Sequence, residues 1–166
     1  ITTGSGTYFM SCNGMYDPDI TGTGGQLLYF DQLMELYNHY QVTSSFAEFQ
    51  PITGSAVVMA LFIDDDQNIS GDAFVCGARP GAKIMNLGAV ESRTPTMRHA
   101  WSCRKTFGPN VINNFVYMGN VTSNPGEQSY YVVRVHDLSL TSYTLNVRVK
   151  ITFNAVFTEL KTIGSS

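Results

Sequence analysis

Charge is what this sequence has least of. Lys, Arg, Asp and Glu make up 14% of its 166 residues, against about 25% in an average soluble domain. A surface so poor in charge is expected to meet other protein across much of its area. Cysteine is scarce as well, with only Cys12, Cys76 and Cys103, widely spaced and without a Cys-x-x-Cys pair. That count and spacing argue against a disulfide scaffold and a zinc site, and favour buried free thiols in a reducing compartment. The sequons at Asn68 and Asn120 then go unused. No apolar run approaches the roughly 18 residues of a membrane span, and no signal peptide is visible. The chain opens "ITTGSG" with no initiator Met, the pattern of a trimmed or partial chain. Its net charge of −3 excludes a wholly basic nucleic-acid binder, so such a role needs a local patch or a further segment.

Catalytic patterns are missing too. His39, His99 and His136 are far apart and form no His-x-His pair, so a cupin-type metal site lacks its ligands. His99 and Cys103, four apart on a strand, would stand about 13 Å from each other, too far for a nucleophilic pair. There is no Gly-rich phosphate loop, no Gly-x-Ser-x-Gly elbow and no paired-glutamate pattern. The chain reads as not an enzyme. The one dense carboxylate cluster is Asp64, Asp65 and Asp66. It is either a solvated acidic loop or a Ca²⁺ site between subunits; no other cofactor is implied.

What the sequence does have is strand periodicity. In "YTLNVRVKITFNAVF" the odd positions from Tyr143 to Phe157 are apolar and the even ones polar, save Val156. That alternation marks a long strand with one face on a core. "SAVVMALFI" (55–63) is a nearly unbroken apolar run, expected of a strand buried on both sides. Further strands are expected at 6–13, 41–52, 96–107, 113–121 and 130–138, with the final one over 141–160, and "AKIMNLG" (82–88) is either a short strand or a helical turn. In "FDQLMELYNHY" (30–40), Phe30, Leu33, Met34 and Tyr37 recur at helical spacing and Asp31 stands near the start, giving one short amphipathic helix. Of its residues, Leu33, Leu36 and Tyr37 are expected in the core or at a subunit interface. About eight strands, one helix and no βα alternation predict an all-β, eight-stranded antiparallel jelly roll, one domain over 1–166.

Six of the ten Lys and Arg residues fall between 79 and 105. Arg98, Arg104 and Lys105, with Trp101 among them as a stacking aromatic, are candidates to face nucleic acid; ordinary surface charge or inter-subunit salt bridging is the other reading. Arg148 and Lys150, on the polar face of the last strand, join the set if that face lines the inside of an assembly.

"FDQLMELYNHYQVTSSFAEFQPI" resembles a motif of the capsid proteins of circular, replication-initiator-encoding single-stranded DNA viruses, through Phe30, Asp31, Gln32, Leu36, Tyr37, Tyr40 and Val42. "SCRKTFG" (102–108) and "NPGEQSYYVVRVHD" (124–137) are similar to later segments of the same family. The three matches cover about half the chain, in order. The resemblance implies a jelly-roll coat protein that self-assembles into a small icosahedral T=1 shell of about 60 copies, packaging a circular single-stranded DNA genome. It also implies a virion location, assembly in the host nucleus and an unidentified host-cell receptor, with no membrane partner. Such proteins usually carry an arginine-rich N-terminal arm, and none stands in this sequence. The coat protein of a small RNA or satellite virus fits the same pattern. So does a secreted trimeric or carbohydrate-binding jelly roll, which would add a signal peptide and used sequons.

Overall fold

The apolar run that starts at Val57 is buried without a break through Phe62, and it sits at the centre of a sheet. The computed structural model describes residues 5–22, 24–52, 57–88, 95–137 and 145–162. Its elements in chain order are β1 (Ser5–Ser11), α1 (Phe30–Leu36), β2 (Tyr37–Pro51), β3 (Val57–Asp64), α2 (Ala73–Gly77), β4 (Lys83–Leu87), β5 (Met97–Ser102), α3 (Cys103–Phe107), β6 (Tyr130–Asp137) and β7 (Val147–Leu160). Single 3₁₀ turns lie at Pro109–Val111 and Phe115–Tyr117. The strands form two antiparallel sheets, β1-β6-β3-β4 and β5-β2-β7, a β-sandwich architecture. Seven strands stand among the described residues where eight were expected, and three helices where one was.

The differences have local causes. The helix expected over 30–40 stops at Leu36, because Tyr37 already has extended backbone (φ −122°, ψ 151°) and opens β2. The strand expected over 113–121 gives way to a 3₁₀ turn. There Asn113 adopts φ 64° and the Asn114 side chain accepts from the Val116 N–H at 3.1 Å, a local bond that competes with strand pairing. The stretch expected as one strand over 96–107 is a strand through Ser102 and then a helix, closed by Gly108 at φ 96°, backbone that favours glycine. β7 begins at Val147, and Tyr143 and Thr144 lie outside the described residues.

By compactness the chain divides into two units, 1–9 with 46–100 and 130–151, and 10–45 with 101–129 and 152–166. In the first unit β3 pairs antiparallel with β6, Val57 opposite Asp137 through Asp64 opposite Tyr130, and with β4, Val57 opposite Leu87 through Leu61 opposite Lys83. Helix α2 packs on β3, which accounts for the burial of both its faces. Asp72 caps that helix by accepting from the N–H groups of Val75 and Phe74, each at 2.9 Å. Those bonds, that from Val75 first, hold its carboxyl below the usual range. The sheets meet where Phe49 of β2 packs edge-on against Tyr131 of β6, ring centroids 6.2 Å apart.

The second unit is organised around Tyr40. Its ring is fully buried and edge-on to Phe30 at 5.4 Å. Its hydroxyl accepts from the N–H groups of Met15 (3.0 Å) and Tyr16 (3.3 Å) and donates to Asn124 Oδ1 at 3.2 Å. Asn124 in turn accepts from Asp17 N–H and donates to the Asp17 carbonyl. The Tyr40 backbone exchanges two bonds with Gly119, at 3.0 and 2.9 Å. A Cβ on Gly119 would stand 2.3 Å from the Tyr40 ring, so glycine is required for this approach. Burial pushes the Tyr40 phenol up to about 12.

Cys12, Cys76 and Cys103 are free and buried. Burial raises the thiol pKa of both Cys76 and Cys103, which keeps them poor nucleophiles.

Leu61→Ala should destabilise the protein by about 2–5 kcal/mol, the cost of a core cavity, as measured by urea unfolding. Tyr40→Phe leaves the buried Met15 N–H without its acceptor, while Tyr16 N–H keeps Asn124 Oδ1 at 3.1 Å, and should cost about 1–3 kcal/mol. Because the Tyr40 pKa is raised in the fold, its contribution is whole below pH 10 and is lost as pH climbs from 10 towards about 12. Unfolding curves of the Phe variant should therefore lack part of the wild-type decline in that window.

Candidate nucleic-acid interface

Along β2, Ala47, Phe49 and Pro51 are buried while Phe46, Glu48 and Gln50 are turned to the other face, as period two requires. β2 lies between β5 and β7, and the contacts of Glu48 with Arg98 and Lys150 put even-numbered residues of β5, of β2 from Phe46 on, and of β7 on this second face. In the first unit it gathers Arg98 from β5, Glu48 and Phe46 from β2, and Arg148 and Lys150 from β7. Arg98 Nε donates to Glu48 Oε1 at 2.7 Å, and Lys150 Nζ stands 4.0 Å from Glu48 Oε2. Arg148 is exposed and has no ion pair among the described residues. Phe46 is 40% exposed on the same face. Two cations on one carboxylate and a third, Arg148, on the same face, with an aromatic ring exposed there, are the residue types that neutralise phosphates and stack a base.

Of the residues expected from sequence, Arg98, Arg148 and Lys150 thus share one face. Arg104 and Lys105 stand exposed on α3 in the other unit, without an ion pair among the described residues. Arg93 lies outside the described residues. Trp101 is no stacking platform. It is 3% exposed and packs against Phe107, which stacks on Tyr117 with centroids 4.7 Å apart. Glu48 and Phe46 were missed, although the alternation in "SFAEFQP" (45–51) already places both on the polar face.

The acidic loop is tied up in its own turn. Asp64 pairs with the Arg79 guanidinium and accepts from the N–H groups of Asp65 and Asp66, while Asp66 accepts from Asn68 N–H. Asp65 and Asp66 are exposed, and no group of three His, Cys, Asp or Glu side chains able to hold a metal forms among the described residues. On α1, Phe30 and Met34 are the buried pair. Leu33 and Leu36 are 36% and 47% exposed, which corrects the expectation that they could serve as core. Tyr37 is half-buried and packs against Phe157 of β7 at 5.8 Å.

No protein-family model matches the sequence, and no curated protein matches it. Solved structures do. Over 100% of this chain and 84% of its own, a chain of the Desmodium yellow mottle tymovirus structure is similar at 11% identity and a TM-score of 0.52. A chain of the semi-empty virus-like particle of the giant freshwater prawn Macrobrachium rosenbergii nodavirus is similar over 97% of this chain and 84% of its own, also at 11% identity and 0.52. At such identity the likeness is one of fold: the chain has the β-sandwich fold of these virus-particle chains.

If the three-cation face binds single-stranded nucleic acid, Glu48→Gln frees Arg98 and Lys150 for phosphates. The slope of log affinity against log salt for a labelled single-stranded oligonucleotide should then steepen by roughly 1. Fluorescence anisotropy at several salt concentrations measures it, and an unchanged slope removes this face from consideration.

Proposed function

We propose that the protein is a viral coat protein whose copies assemble into a closed icosahedral shell around a single-stranded genome. The observation that carries this reading is the fold shared, over the whole chain, with chains of virus-particle structures. A second supports it: Leu28, Tyr29, Leu33 and Leu36 are 81%, 65%, 36% and 47% exposed around α1. Leu160, 66% exposed, adjoins them, since the Lys161 N–H bonds to the Leu36 carbonyl at 2.8 Å. So contiguous an apolar surface on a chain this poor in charge suits contact with other subunits.

On this reading the shell is of the smallest icosahedral kind, T=1 with about 60 copies. The genome is circular single-stranded DNA, following the motif resemblance around Tyr40, and nuclear assembly goes with that genome. A small RNA virus is the second reading, and the fold suits it equally. In either case Arg98, Arg148 and Lys150, with Arg104 and Lys105 of α3, are the genome-facing candidates. Asp64–Asp66 stay a candidate Ca²⁺ contact between subunits only in an assembly that adds further oxygen ligands.

Purified protein should sediment as a large uniform particle and show closed shells by electron microscopy. A stable monomer across salt and pH overturns the reading. Leu28→Glu combined with Leu36→Glu should abolish particles and leave the circular dichroism spectrum of the subunit unchanged. Nucleic acid extracted from particles should be destroyed by DNase and not by RNase if the DNA form of the reading holds, with the reverse result selecting the RNA form.

A further inference from the structure

The three-stranded sheet ends on β7, which pairs with β2 on one side and with no other strand among the described residues. β7 is also the strand whose apolar face is least covered. Val147, Val149, Ile151 and Phe153 are all only half-buried, although their alternation is as regular as any in the chain. Beside the first half of β7 lies a cavity of about 560 Å³. Phe49 of β2, Val133 and Val135 of β6, and Leu145, Val147 and Val149 line it, with Ser5–Tyr8 of β1 along its rim. The residues that line the cavity all belong to the first unit.

The backbone tells what shape fits. The Asn146 carbonyl accepts from Ile52 N–H of the chain leaving β2, at 2.7 Å. Period two then turns the N–H and C=O groups of Val147, Val149 and Ile151 towards the free edge. A row of backbone groups that no described strand pairs with, above an apolar cavity, asks for an extended strand, whose main chain completes the ladder while alternate side chains fill the space below. The outward side chains of such a strand lie next to Arg148 and Lys150. Arg148 has no ion pair among the described residues, and Lys150 reaches only Glu48, at 4.0 Å. Acidic residues opposite them give the favourable cross-strand pairing.

From this edge, this cavity and this charge we propose that the first half of β7 is a strand-acceptor site. Its occupant is an extended peptide segment of a partner protein, with alternating apolar and acidic residues, added antiparallel to Val147–Ile151. The site does not depend on shell formation.

A synthetic peptide of about seven residues alternating Val and Glu is the probe, with hydrogen exchange read by mass spectrometry on the whole protein. Exchange at Val147, Val149 and Ile151 should be fast in the free protein and slow about 10-fold or more with peptide bound. Arg148→Glu, an exposed substitution, should weaken the peptide about 2- to 5-fold, and a Val–Lys peptide should recover the loss on that variant. Three results overturn the proposal: exchange unchanged by the peptides; exchange already slow without them, which means the chain covers its own edge; or protection that rises with protein concentration alone, which means a second copy is the occupant.

Discussion

The second unit depends on one buried phenol. Tyr40 joins three segments that sequence keeps far apart: its own strand, the loop at Met15–Tyr16, and the loop at Asn124. None of these loop groups belongs to a regular ladder, so each would stand unpaired in the interior without that hydroxyl and the Asn124 amide. Packing enforces the same arrangement, since Phe30 sits against one side of the ring and Gly119 leaves no room for a side chain on another. The loops can therefore be long and rich in glycine, asparagine and aspartate without becoming slack. Two of the three segments that carry the sequence resemblance, around Tyr40 and around Asn124, are the two ends of one hydrogen bond.

Legibility followed the reach of each interaction. Elements set by local periodicity could be read directly: the unbroken run of β3, the alternation of β5 through Arg98 and of β7, and the apolar pair Phe30 and Met34 on α1. Elements set by a single local bond or an unusual backbone angle could not. The Asn114 cap turned an apparent strand into a 3₁₀ turn, and Gly108 closed a helix that alternation had assigned to a strand. Burial was the other blind spot. Trp101 stands among cations in sequence, yet the apolar face of β5 takes it inside, because residue 101 alternates with Met97 and not with Arg98.

The candidate site shows the same divide. That Arg148 and Lys150 share a face followed from β7 alone. That Arg98 joins them needed the order β5-β2-β7, which no local pattern carries. Glu48 was invisible as a partner for a simple reason: it lies 50 residues from Arg98 in the chain and meets it only because their strands are neighbours. Arg104 and Lys105, six and seven residues after Arg98 in sequence, stand on α3 in the other unit, because the chain turns into that helix at Cys103.

Net charge proves a poor guide to what this surface can bind. The total of −3 suggests a protein that repels phosphate. The acids, however, are not free in proportion to their number: Asp64 is held by Arg79 and two backbone N–H groups, Asp72 caps α2, and Glu48 is shared between two cations. An acid whose lone pairs are already occupied projects little field outward, while Arg104, Lys105 and Arg148 are exposed and unpaired among the described residues. At physiological ionic strength charges farther apart than about 8 Å scarcely feel each other. A phosphate arriving at β7 is governed by Arg148 and Lys150, not by carboxylates elsewhere on the chain. The proposed reading therefore needs no net positive charge, only cations that share a face, as Arg98, Arg148 and Lys150 do.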